Sequence, residues 1–293
     1  MALTGPGGPY SDLGRPPLNE RVLRRALLVP GGLWRRLEIR AETGSTNADV
    51  AAAARDGEPE GLVIVAERQV AGRGRLGRTW ESPARAGLSL SVLLRPAAPD
   101  EARGWAAVPP AAYGWLPLLT GVALHESVRR VTGLETSLKW PNDLLVPMAN
   151  GDEGKTAGIL AEGVSGAVVM GAGLNVSLRE DELPDRPTGP PATSLLLAGA
   201  EDADREPLLK AFLRSLADWY ARWRDTTGDP EASGLRAAYR EACGTIGRRV
   251  RVLLPDGAEV SGFVTGVDDD ARLLLRTPDG DRPLAAGDVV HLR

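Results

Sequence analysis

The apolar positions of the chain change their period several times, and each change marks an element. Residues 62–67, LVIVAE, form a continuous apolar run of strand length, and residues 87–95, GLSLSVLLR, alternate apolar and small polar positions; both predict strands. Leu116, Leu119, Ala123, Val128 and Val131 recur at helical spacing and predict a core-facing helix over 113–132. A short strand is expected over 37–40, then a helix after GSTN at 44–47. Ser45, Thr46 or Asn47 can cap that helix, an alanine run favours it and Gly57 ends it. LETSLKWPND, residues 134–143, gives a strand halted at Pro141, which has no ladder donor. Two strands are expected around a turn at Asn150 and Gly151, and AVVMGAGLNV, residues 167–176, supplies another.

A Pro-rich loop over 179–192 and two amphipathic helices over 206–225 and 230–243 follow. From Ile246 the texture becomes short alternating strands separated by PDG, DDDA, PDGD and AAGD, the pattern of a small SH3-like β-barrel. Residues 1–30 begin with a Gly/Pro-rich stretch poor in large apolar side chains and are expected to be a flexible leader. The pattern therefore divides the chain into a leader over 1–30, a large domain over 31–244 and a small one over 245–293. The large domain lacks strict β-α alternation, so it is expected to be α+β rather than doubly wound.

Composition narrows the chemistry more than the fold. With 43% hydrophobic and 25% charged residues over 293 positions, the chain is an ordinary globular protein. Its formal net charge of −4 offers no global attraction to nucleic acid, so any anion site must be a local concentration of positive charge. The single cysteine, Cys243, fits a reducing compartment, and neither a signal peptide nor an apolar run of about 18 residues is present; a cytoplasmic location is expected. Two histidines, His125 and His291, leave little room for His-rich metal sites or Ser-His-Asp triads. Of 35 basic residues only Lys139, Lys155 and Lys210 are lysine, so a lysine can mark a place that needs a compact ammonium.

The segment AGRGRLGRTW, residues 71–80, raises the sharpest chemical question. Gly72, Gly74 and Gly77 spell G-x-G-x-x-G after an apolar strand. A dinucleotide fingerprint, however, needs its glycines directly after the strand and a helix opening at the third. Here four residues separate Glu67 from Gly72, and Pro83 and Gly87 break any following helix. What remains is a flexible glycine loop carrying Arg73, Arg75 and Arg78, whose guanidinium forks match phosphate oxygens. Only Glu67 and Glu81 lie nearby in sequence, so mutual repulsion of the arginines favours an anionic partner.

Five motifs then fall into one order: GSTN at 44–47, GRGRLGRTW at 72–80, KWPND at 139–143, KTAGILAE at 155–162 and GAGLNV at 171–176. In that order the chain resembles the biotin protein ligases over about residues 40–293. The resemblance implies a mixed β-sheet flanked by helices, like a class II aminoacyl-tRNA synthetase catalytic domain, with a small C-terminal SH3-like β-barrel. It implies that biotin and ATP, with Mg²⁺ carried by the nucleotide, give biotinyl-5′-AMP and pyrophosphate. Biotin then passes to one lysine of a biotin carboxyl carrier protein domain of an acetyl-CoA or acyl-CoA carboxylase. Lipoate or octanoate ligases share the fold and the adenylate chemistry and stand as the alternative. So does a biotin-sensing repressor, but the stretch before LWRRLEIR is too short and Gly/Pro-rich for a helix-turn-helix domain. The expectation is a monofunctional enzyme without DNA or membrane partners, a monomer or weak homodimer.

The resemblance also assigns residues. Lys155 corresponds to the lysine that bridges the biotin carboxyl group and the α-phosphate, with Arg75 and Asp143 as the other catalytic candidates. Biotin falls to Ser45, Thr46, Asn47, Gln69, Gly72, Arg73, Gly74, Arg75 and Lys155, and the ATP or adenylate to Arg75, Arg78, Trp80, Asn142 and Asn175. Trp80 is expected against the adenine, and Asp143 is expected to orient or deprotonate the incoming carrier lysine. Read alone, GSTN is equally an ordinary helix cap and Trp80 a core tryptophan. Lys139 and Trp140 are expected to be structural, and His125 and Cys243 to have no chemical role.

Overall fold

The computed structural model describes residues 15–185, 189–200 and 203–292. The described chain opens with helix α1 (Glu20–Leu27), capped by Asn19, whose side chain accepts from Val22 N. Then follow β1 (Arg36–Arg40), α2 (Thr46–Arg55), β2 (Leu62–Ala66), β3 (Gly87–Leu94), α3 (Trp115–Thr132) and β4 (Ser137–Lys139). After them come β5 (Asp143–Pro147), β6 (Glu153–Val164), β7 (Ala167–Asn175), α4 (Arg205–Asp225) and α5 (Leu235–Ala242). Helix α3 ends where Gly133 takes φ +71, the left-handed stop that glycine adopts most readily. The seven strands form one sheet in the order β1-β2-β3-β7-β6-β5-β4, parallel at the β1 to β2 pair and antiparallel elsewhere, which is the mixed sheet expected.

The alternation along the strands assigns the two faces. Val168, Met170, Ala172 and Leu174 of β7 join Leu88, Leu90, Val92 and Leu94 of β3 in the main core, packed with α3, α4 and α5. On the opposite face Leu62, Ile64, Leu93 and Val169 pack under Val50, Ala51 and Ala54 of α2. Helix α2 is short, and beyond its N-terminus this face is left for Ser91, Gly171, Gly173 and Asn175. The functional site occupies that vacated half of the sheet.

The expectation of a flexible leader fails for residues 15–30, while residues 1–14 lie outside those described. Leu18, Leu23 and Leu27 are buried, and Arg15 is 7% exposed. The arginines of α1 hid this helix in the sequence, because only two of its eight residues face the core.

The C-terminal part is a five-stranded antiparallel sheet of β8 (Arg249–Leu253), β9 (Glu259–Val267), β10 (Leu273–Thr277), β11 (Gly280–Leu284) and β12 (Asp288–His291), in the order β11-β10-β9-β8-β12. It shares the main core, and Trp140 plugs the junction: its ring is buried, its Nε1 donates to Ala271 O at 3.3 Å and its backbone N donates to Thr245 Oγ1 at 3.2 Å.

His291 seals the same junction. Its Nδ1 lies 3.1 Å from Arg248 Nη1 and its Nε2 3.0 Å from Thr245 Oγ1. A guanidinium only donates, so Nδ1 accepts and the ring is neutral with its proton on Nε2. Burial, then the Arg248 and Lys139 charges, push the imidazole down to about 4 from 6.5. The folded ring therefore takes its proton later than the unfolded one, and the stability it contributes is complete above about pH 6.5 and declines as the pH falls toward 4. Melting temperatures across that window should fall for the parent and fall less for His291→Gln. Equal slopes would contradict this role for His291.

Candidate active site

A cavity of about 620 Å³ opens between the vacated sheet face, the Arg-Gly segment, residues 184–185 and 189–192, and the edge of the C-terminal sheet. Thirteen of the sequence-expected residues line it: Ser45, Thr46, Asn47, Gln69, Arg73, Gly74, Arg75, Arg78, Trp80, Asn142, Asp143, Lys155 and Asn175. Gly72 does not. It sits at the base of the Arg-Gly segment, where its carbonyl accepts from Trp80 N at 2.9 Å and a Cβ would strike Trp80 O, so the hairpin requires its smallness.

The Arg-Gly segment is a short hairpin, bridged at Arg73 and Thr79 and turned through Leu76 and Gly77 at φ 55 and +72. Each arginine meets a partner from elsewhere in the chain. Arg73 Nη2 donates to Glu162 Oε2 at 3.3 Å, Arg75 Nη1 to Asn142 Oδ1 at 3.1 Å, and Arg78 pairs with Asp288 of β12. The local count of acids thus misled: Glu67 is occupied by Arg205 at 2.5 Å, while Glu162 and Asp288, remote in sequence, balance the arginines. Arg75 is the least hydrated of the three, and burial pushes its guanidinium below the usual range against the pull of Asp288 and Asp143.

At one end of the cavity the start of α2 is wired from outside the helix. Ser45 stands at the cap position without a side-chain cap bond, so the ordinary-cap reading fails. Instead Thr46 N donates to Gln69 Oε1 at 2.8 Å. Ser91 Oγ lies 2.7 Å from Thr46 Oγ1 and 2.6 Å from Asn47 Oδ1, and Asn47 Nδ2 donates to Glu162 Oε2 at 2.6 Å. One polar chain therefore fixes Gln69, Thr46, Ser91, Asn47 and Glu162. Ser91 and Glu162 escaped sequence reasoning, although the serines interrupting GLSLSVLLR were its visible trace.

At the other end stands Lys155. In an unbroken β6 its side chain would share the core face with Ala157 and Ile159. The register to β5 slips between Leu144 and Leu145, leaving Thr156 as the extra residue, and this bulge turns Lys155 to the cavity. There its Nζ lies 2.5 Å from Asp143 Oδ1, a contact of charges without hydrogen-bond alignment at that oxygen, and 6.0 Å from the centre of the Trp80 ring. Both side chains of the pair are nearly buried, at 11% and 8% exposure.

The Trp80 ring lies over a floor of glycine. Gly158 and Gly173 face each other across β6 and β7, and a Cβ on Gly173 would enter the indole. A Cβ on Gly171 would enter the Asn47 amide. The GAG of β7 is thus two absent side chains that admit an aromatic ring and a carboxamide close to the sheet. Asn175 Nδ2 donates to Thr193 O at 2.9 Å, and the backbone of Lys155 exchanges bonds with Pro191 O at 2.8 Å and Thr193 N at 2.9 Å. These tie the end of the Pro-rich stretch to the strand carrying the lysine.

Trp140 is structural, as expected, and Lys139, 6% exposed, also borders the cavity. Chemically the arrangement is a cationic chamber with an aromatic face, a polar socket at one end and one carboxylate beside its lysine.

Comparison with known proteins gives matches over most of the chain. Residues 45–178 match the Biotin/lipoate A/B protein ligase family and residues 245–292 the Biotin protein ligase C terminal domain. The chain is 44% identical over 286 residues to the Biotin--[acetyl-CoA-carboxylase] ligase of Mycobacterium tuberculosis, covering 96% of this chain and 98% of that one. It is 33% identical to the Bifunctional ligase/repressor BirA of Bacillus spizizenii, covering 80% of this chain and 68% of that one. Among solved structures, the biotin protein ligase of Aquifex aeolicus in complex with biotin and ATP superposes with a TM-score of 0.67 at 25% identity, covering 89% of this chain and all of that one.

Proposed function

The chain belongs to the biotin protein ligase family, and from that premise we propose that it joins biotin to MgATP and passes the biotinyl group to a lysine of a carboxylase carrier domain. The observation that carries the reading is the buried pair of Lys155 and Asp143, 2.5 Å apart beside Trp80, at the cationic end of a chamber whose other end is a polar socket.

In the first step a biotin carboxylate oxygen bonds to the α-phosphorus as the bond to the β-phosphate oxygen breaks, and pyrophosphate leaves. Two anions must meet, so the barrier is largely electrostatic, and fixed cations that need no reorganisation lower it. Lys155 supplies a compact ammonium for the carboxylate and α-phosphate oxygens. Arg75 supplies a fork already short of water, and Arg73 and Arg78 exchange Glu162 and Asp288 for ligand oxygens. Asn142, which accepts from Arg75, and Asn175 act on the nucleotide side. The Trp80 face stacks on the adenine. The socket of Ser45, Thr46, Asn47 and Gln69 offers donors and acceptors to the ureido ring of biotin. In the second step the carrier lysine amine attacks the acyl carbon of the mixed anhydride, AMP leaves, and Asp143 orients the amine and takes its proton.

Mg²⁺ enters as part of the nucleotide substrate. The relative from M. tuberculosis is named for acetyl-CoA carboxylase, which supports that carrier as the recipient. Among the described residues no helix is long and apolar enough to cross a membrane. The reading is of a cytoplasmic enzyme, a monomer or weak homodimer, with no role on DNA.

The floor makes one prediction. Gly173→Ala should displace the Trp80 ring at an overpacking cost of about 1–3 kcal/mol, read as roughly a tenfold higher KM for ATP with the KM for biotin little changed. The function itself is tested by ATP–pyrophosphate exchange with biotin and lipoate in turn, followed by mass spectrometry of a carrier domain incubated with the chain, MgATP and biotin. A single biotinyl addition is expected; exchange with lipoate and none with biotin overturns the reading.

A further inference from the structure

Two walls of the cavity are tied to one short stretch, residues 15–18, that carries no motif. Arg15 grips Glu182 with both guanidinium nitrogens, Nη1 to Oε1 at 2.9 Å and Nη2 to Oε2 at 2.5 Å, and its Nη2 donates to Ser177 O at 2.7 Å. Glu182 closes the short 180–182 turn by accepting from Arg179 N at 2.8 Å. Two residues later Pro184 and Asp185 enter the cavity wall. The same wall includes Gly189, Pro190 and Ala192, next to which Pro191 and Thr193 are fixed to Lys155 and Thr193 O accepts from Asn175, so this wall borders the nucleotide side; Arg15 holds its near end through Glu182 and Ser177. The Arg15 fork, the largest influence on Glu182, holds that carboxyl at about 2, so the pair stays charged through the whole working pH range.

The next residues reach the opposite wall. Leu18 N donates to Glu67 Oε1 at 2.7 Å, and Arg205 joins Glu67 Oε2 to Pro16 O at 2.5 and 2.6 Å. Glu67 lies two positions before Gln69, which holds Thr46 at the polar socket. The stretch therefore separates into an arginine serving the wall at Pro184 and Asp185 and a backbone donor serving the socket wall.

We propose that Arg15 is a positioning residue for the nucleotide side of the reaction, setting the 180–185 turn through Glu182 and with it the wall that meets the adenylate. The proposal rests on the ligase reading of the cavity. A stretch that only stabilised the fold would weaken both substrates alike, whereas an anchor on one wall separates them.

Steady-state pyrophosphate exchange by the full chain, with ATP and biotin varied separately, makes the test. Arg15→Ala should raise the KM for ATP about tenfold and leave that for biotin within about twofold, with a cooperative melt retained. Glu182→Gln should shift the two KM values in the same direction, and the double variant should add little to it, because either single change already loses the ion pair between Arg15 and Glu182, although Glu182 also meets the Arg179 backbone and guanidinium and Arg15 also Ser177 O. Arg15→Lys keeps the charge, loses the fork and should fall between. A similar rise in both KM values, or an ATP KM within about twofold of the parent in either single variant, overturns the proposal. Should Arg15→Ala not fold, Glu182→Gln decides by the same two outcomes. A parent chain that shows no biotin-dependent exchange overturns the ligase reading instead, so the two failures are distinct.

Discussion

Replacing Lys155 by alanine is expected to lower the rate of adenylate formation by about 10²–10³-fold, the range for removing one preorganised charge from a developing transition state. The bulge at Thr156 brings this ammonium to the cavity and Asp143 holds it there, so its position is set before any ligand arrives. A second effect must be separated from the first. The substitution leaves Asp143 buried without its cation, and breaking a buried pair costs about 3–5 kcal/mol of stability. Rates should therefore be measured below the melting transition of the variant. Lys155→Met/Asp143→Leu removes both charges and should recover stability without recovering rate. A double variant that regained adenylation would show that the lysine acts only through folding, and a Lys155→Ala rate within tenfold of the parent would remove it from the chemistry.

The Asp143→Asn variant is expected to divide the two half-reactions. Transfer from preformed biotinyl-5′-AMP to the carrier lysine should slow by about 10²–10⁴-fold, the span of general acid–base catalysis, while adenylation slows by less than about tenfold. Asparagine keeps the shape beside Gly158 but can neither accept a proton nor balance the ammonium of Lys155. The transfer defect should shrink as the pH rises and more of the carrier amine is already neutral. Equal losses in both half-reactions would make Asp143 a partner of Lys155 and nothing more.

Much of this site was legible because its parts are local. The strand and helix periods located every element of the large sheet, and the Arg-Gly segment was recognisable as something other than a dinucleotide loop from its spacing alone. The illegible parts are those that depend on two distant stretches meeting. Glu162 and Asp288 neutralise Arg73 and Arg78 from 89 and 210 positions away. The bulge that aims Lys155 exists only in the pairing of β5 with β6; KTAGIL read alone places the lysine on the wrong face. GAGLNV shows small residues in a strand, but which groups approach Gly171 and Gly173, an amide and an indole, needed the sheet. Helix α1 was missed because its stability comes from what it touches and not from its own sequence.

The anchoring of residues 15–18 also orders events in time. Arg15 meets Glu182 across 167 positions, and Pro16 meets Arg205 across 189. On a ribosome adding about 5–20 residues per second, the first-made end waits on the order of 10–40 s for its partners. Its docking must then follow the synthesis of all seven strands of the large sheet. A nascent chain stalled within α4 should hold most of the large sheet paired while its N-terminal stretch is still open to a protease, and that stretch becomes fully protected when Glu182 and Arg205 have both been released.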